Sequence, residues 1–148
     1  MPSNLSWPDL IIEAVPEETA TRSLKEWNFL LDGTFAVIGM SRFGDWFLRR
    51  PDESIEELSV IEGTLTKIAD TPDEFAALMN TPLWQEEHLL SWMIPKLYEQ
   101  NIFAGPDQCY GFAPHPALYG RIDSDRVVVL SIPVWQTICA QTFSTKQK

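Results

Sequence analysis

The sequence predicts an α+β domain, a single twisted antiparallel β-sheet with helices packed mainly on one face. Three observations carry that reading. Between Gly33 and Gly63, three short apolar runs rich in aromatic and β-branched residues alternate with turn signals, which is a strand meander and not a helix pattern. Twice in succession, at Thr71-Pro72 and Thr81-Pro82, a capping residue and a proline open a helically spaced run. After Gly105-Pro106 the chain returns to β-type runs and closes on a further helix.

Taken in order, residues 1–32 form an N-terminal helical segment and residues 33–148 the α+β body, the two making one compact unit. Trp7-Pro8-Asp9 starts a short helix that runs through Leu10–Val15 and stops at Pro16. Residues 17–26 are polar and fit helix or loop, and Trp27–Leu31 lies against the sheet edge before Asp32-Gly33 breaks it. The meander strands are Thr34–Gly39, Asp45–Leu48 and Leu58–Ile61, joined through Ser41–Gly44 and the Pro51-Asp52 turn. Gly63–Ala69 reads as a connector with extended character. A first helix covers Phe75–Met79, with Thr71 as cap and Glu74 three residues on. A second, capped by Thr81, carries Trp84, His88, Leu89, Trp92, Met93 and Leu97 at helical spacing, and Pro95 kinks or splits it. Gln108–Phe112 is a short strand, residues 113–120 a proline-rich loop and Val127–Leu130 a buried strand. Ser131 caps the terminal helix, and the residues after Phe143 fray.

At 148 residues and 45% apolar, the chain buries a full core without disulfides or metal. No apolar run reaches the ~20 residues that span a bilayer. The N-terminus lacks the basic region of a secretory leader. Two cysteines without CxxC spacing read as reduced, packed thiols of a cytoplasmic protein. Charge is more telling. Residues 51–107 hold twelve acids and only two bases, Lys67 and Lys96, and so carry the whole net charge of −10. Such a surface repels nucleic acid and steers basic partners inward. Solubility alone is the bland account of the same charge.

Reaction chemistry is sparse. The two histidines, His88 and His115, have no ligand-spaced companions, so no metal site or cofactor is expected. Cys109 lies six residues from His115, but in a strand, where a buried inert thiol is the ordinary outcome. Glu56/Glu57 and Glu86/Glu87 are sequence neighbours whose side chains diverge on strand or helix, so neither is a catalytic dyad. Gly39 and Gly44 are not followed by the Lys-Ser/Thr of a phosphate loop. Arg49-Arg50 reads as strand-edge charge, and Phe43, Trp46 and Phe47 as core.

One pattern is specific. Gly33, Phe43-Gly44-Asp45, Gly63-Thr64, Glu74-Phe75, Cys109-Tyr110-Gly111-Phe112, Pro114 and Gly120 follow in an order that resembles the C-terminal domain of type VI secretion immunity proteins acting against DNase toxins. The resemblance spans Trp27 to Phe143, and departs from the family's paired glycines where Tyr119 precedes Gly120. It implies a bacterial cytoplasmic, non-enzymatic protein that binds a cognate toxin, possibly a DNase, without cofactor, nucleic acid or membrane. The acidic segment fits that expectation independently, with Glu56, Glu57, Glu62, Asp73, Glu74, Glu86 and Glu87 as candidate contacts. Two other readings stand beside it: a structural or regulatory protein-binding domain of the same fold, and a small enzyme using Cys109 and His115.

Overall fold

The computed structural model describes residues 6–144, so the fraying expected after Phe143 lies largely outside the described residues. The organising layer is a five-stranded antiparallel sheet in sequential order: β1 (Ile11–Ile12), β2 (Ala36–Ser41), β3 (Trp46–Arg49), β4 (Ile55–Ser59) and β5 (Thr64–Ala69). β6 (Gln108–Phe112) and β7 (Val127–Ser131) form a separate two-stranded ladder. Among the described residues seven α-helices complete the domain: α1 (Trp7–Leu10), α2 (Glu17–Lys25), α3 (Pro72–Met79), α4 (Pro82–Leu89), α5 (Ile94–Glu99), α6 (Pro116–Tyr119) and α7 (Ile132–Ser144). The class is α+β, as the residue pattern predicts.

The meander is larger than its sequence suggests. The connector Gly63–Ala69 pairs along its length with β4, as β5. The third run is displaced toward the N-terminus: Ile55–Ser59 pairs, while Val60 and Ile61 turn, because the Asp45 carboxylate accepts the Val60 N–H at 2.8 Å and holds it out of the ladder. Gly39 lies inside β2 and does not end it. A Cβ there would sit 3.1 Å from the Ile12 carbonyl, so glycine permits the close approach of β1.

Other local expectations give way to tertiary pairing. The short helix expected over Leu10–Val15 ends at Leu10. Ile11 and Ile12 turn extended and pair with Ser41 and Met40, which suits two β-branched residues beside an open strand. The long helix expected from Trp84 to Leu97 divides at Leu90, whose backbone is left-handed (φ 51°). Pro95 falls in the first turn of α5, where its missing N–H costs nothing. Thr71 does cap α3, accepting from the Glu74 N–H at 3.2 Å. Thr81 does not cap α4; its hydroxyl donates backward to the Ala77 carbonyl. β7 is half-buried and not fully buried, because β6 pairs with it on one side only. Ser131 accepts from the Val134 N–H at 3.3 Å, as a cap of α7 should.

Neighbouring residues of β3 tie the layers together. Phe47 meets Phe75 of α3 and Trp84 of α4, while Trp46 donates its indole N–H to Gln136 of α7. Alternation along a strand sends the two side chains in opposite directions, so β3 is covered on both sides. Gln136 is fully buried and is the polar hub of the core. Its Oε1 accepts from the indoles of Trp27 (2.8 Å) and Trp46 (2.9 Å), and its Nε2 donates to the Gly44 carbonyl at 2.8 Å. The N-terminal segment, the sheet and the C-terminal helix thus meet on one amide.

Candidate functional site

The fold sorts the seven candidate acids. Glu57 on β4, Glu62 in the β4–β5 turn and Glu87 on α4 line one cleft of about 370 Å³, together with Asp45 and His88. The remaining wall is Ser59, Ile61, Thr64, Thr66, Ile68, Leu90 and Ile122, so among the described residues His88 is the only basic side chain there. Glu56 points away and is held by Arg50 at 2.6 Å, half-buried. Asp73 and Glu74 lie exposed in the first turn of α3. Glu86 lines a different surface depression with Trp92 and Pro95. The predicted divergence of Glu56 from Glu57, and of Glu86 from Glu87, is what the strand and helix produce.

Glu57 is only 8% exposed, an unusual position for a carboxylate. His88 compensates it: Nδ1 lies 2.7 Å from Oε1, and the ring stacks on Trp84 at 4.6 Å. The Glu57 hydrogen bond raises the His88 pKa, opposed by partial burial and aided by the charges of Glu57, Glu87 and Glu62. Asp45 forms the inner wall. Burial first, and the Glu57 charge second, push its carboxyl well above the usual carboxylate range, against the Val60 N–H and the Ser41 hydroxyl that favour the anion. Burial and the Glu57 charge thus favour the neutral form of the Asp45 carboxyl.

The residues of the Gly33-to-Gly120 pattern have structural roles. Gly44 (φ +98°) and Gly111 lie against Trp135, and Gly63 (φ +71°) lies against the Phe143 ring. A Cβ at these positions would come within 2.7, 2.8 and 2.3 Å of those rings. All three glycines clear the path of α7. Phe43 packs on Tyr110 and Phe112, and Phe75 on Phe47 and Trp84. Gly33 and Gly120 take positive φ at turns, and Pro114 follows a cis peptide bond. Of this set, Asp45 and Thr64 reach the cleft.

Cys109 and His115 are both buried. Burial pushes the Cys109 thiol up to about 12, and Cys139 is raised by burial likewise. His115 is buried with both ring nitrogens engaged. Nδ1 accepts from the Ala117 N–H at 3.0 Å, which leaves Nε2–H to donate to the Val60 carbonyl at 2.9 Å. Arg50, expected as edge charge, instead fastens the start of the sheet by donating to the Asp32 and Thr34 carbonyls. Among the described residues, no group of three or more His, Cys, Asp or Glu side chains is arranged to hold a metal ion, and no helix is long and apolar enough to cross a membrane.

His88 escaped the sequence reading as a site residue. Its helical spacing marks it as facing inward, but its partner Glu57 lies 31 positions away, and no local signal joins them.

No family model and no curated protein matches the chain. Among solved structures it is similar to the crystal structure of Atu4351 from Agrobacterium tumefaciens, at 17% identity and a TM-score of 0.58, over 85% of this chain and 64% of that one. This chain thus spans less than two thirds of that protein's resolved length. At such identity the likeness concerns the fold alone.

Proposed function

We propose that the chain is a non-enzymatic, immunity-type protein that binds and neutralises a cognate basic toxin of the nuclease type, with the Glu57–His88 cleft as its recognition point. The observation that carries this reading is the convergence of Glu57, Glu62 and Glu87 on one cleft walled by buried Asp45, with no Lys or Arg in its lining among the described residues. A nuclease needs a basic groove to hold phosphate, and a Lys or Arg from such a groove finds here a concave acidic acceptor. Residues 51–107 contribute the long-range attraction that speeds encounter, and the cleft supplies the short-range complement. The resemblance in the sequence names the kind of partner; the cleft supplies the chemistry by which that partner is held.

The test is capture and neutralisation together. Immobilised protein should retain a basic protein from a lysate of the source cells at low salt and release it at high salt. The captured protein should be nuclease-active alone and inhibited when the wild-type chain is added back. An E62K/E87K variant alters exposed side chains only, so it folds, and it should lose inhibition. Equal inhibition by both proteins would overturn the assignment to this cleft. Salt-insensitive capture of a partner without nuclease activity would favour the alternative, a protein-binding domain of the same fold.

A further inference from the structure

The outer edge of β2 is only partly covered. β1 pairs with Ser41 and Met40 and then leaves the ladder, and among the described residues no other strand adjoins β2 on that side. Ala36 and Val37 pair inward with Arg49 and Leu48 of β3, and Ile38 sits at a bulge. Ala36 is exposed, and Val37 is 37% exposed although it is a β-branched residue in a sheet. The opposite edge of the sheet is managed differently: β5 packs beside α3 and carries Lys67, paired with Asp70.

Beside the open part of β2 runs a groove of about 810 Å³. Buried Ala20 and Leu24 of α2 and half-buried Val15 and Phe35 give it an apolar lining, continuous with Val37 of the edge strand. Among the described residues, its rim carries Glu13, Glu17 and Asp32 against a single base, Lys25. Unpaired strand edges bind extended polypeptide through main-chain hydrogen bonds, and adjoining pockets select the side chains at alternate positions.

We propose that this groove receives an extended segment of a partner polypeptide, which adds as a strand beside Ala36–Ile38, seats alternate apolar side chains on the groove lining and sets Lys or Arg against Glu13, Glu17 and Asp32. The charge of the rim selects this occupant over a second copy of the chain, since two copies joined through this edge would oppose like-charged rims. The bulge at Ile38 and the departure of β1 at Ile12 limit the added strand to a few residues, so affinity depends on the side chains as much as on the backbone. The groove shares no residue with the Glu57–His88 cleft, so each reading fails or stands alone.

The probe is a short acetylated peptide alternating valine with lysine; a control carries proline in place of every second valine and lacks those N–H donors. Binding is followed by titration, and backbone amide exchange at residues 36–38 by NMR. Saturable binding that slows exchange there, is absent for the proline control and weakens about tenfold or more in E13K/E17K/D32K is the expected result. An E62K/E87K variant should keep the protection, which separates the groove from the acidic cleft. Absence of binding, binding that leaves exchange at 36–38 unchanged, or equal binding by E13K/E17K/D32K overturns the proposal. So does a peptide-free dimer that itself protects 36–38.

Discussion

Replacing Gln136 with methionine isolates the value of the polar hub. Methionine nearly conserves volume, so no large cavity opens, but its thioether is at most a weak acceptor and donates nothing. Three buried groups lose their partner together: the Trp27 and Trp46 indole N–H groups, at 2.8 and 2.9 Å, and the Gly44 carbonyl, at 2.8 Å. Each buried group left unsatisfied costs about 1–3 kcal/mol, and the three share one site, so the combined loss should be roughly 3–6 kcal/mol. A domain of this size holds only about 5–15 kcal/mol in all. Urea unfolding followed by tryptophan fluorescence and by far-UV circular dichroism should show a lower midpoint at unchanged slope, with Tm down by about 10 °C or more. Gln136→Glu serves as the companion. A protonated carboxyl accepts from both indoles and donates to Gly44, so its loss should be smaller at low pH and grow as pH rises and the buried acid ionises. A Q136M loss below about 1 kcal/mol would show that the indoles find other acceptors, and the account of the core as a single amide hub would be wrong.

Two further outcomes follow from the same geometry. Gly63→Ala places a methyl 2.3 Å from the Phe143 ring at a φ of +71°, and should cost about 2–4 kcal/mol in thermal or urea unfolding. In an F143A background only the backbone share, about 1 kcal/mol, should remain, and equal costs in both backgrounds would refute the clash. The His88–Glu57 pair makes stability depend on pH with a defined sign. The His88 pKa is raised above its ordinary 6.5, so the folded chain holds a proton that the unfolded chain releases. The contribution is therefore full below about pH 6.5 and is lost as pH rises through the folded pKa. Wild type should exceed H88Q by most near pH 6, and the gap should close toward pH 8. A gap that is constant or widens over that range would exclude the ion pair as its source.

By itself the sequence determined the class of the fold and most of its local punctuation. Short aromatic and β-branched runs between Gly33 and Gly63 cannot satisfy a helix, Thr71-Pro72 and Pro82 start helices, and Phe43, Trp46 and Phe47 have nowhere to go but the core; these signals act within a few residues. The concentration of acids in residues 51–107 was legible for the same reason, since charge is additive along a chain. Tertiary structure decided what depends on distant partners. Ile11 and Ile12 became a strand because β2 offered an edge, and helix spacing in isolation could not reveal that edge. Leu90 ended α4 five residues before the proline that was expected to interrupt it. Above all, the fold chose among equivalent acids. Glu56 and Glu57 differ in nothing local, yet pleating sends one to Arg50 and the other to His88, 31 positions on, where burial beside Asp45 turns an ordinary carboxylate into the floor of a cleft. Periodicity tells which residues share a face; only the packing of β4 against α4 tells what that face meets.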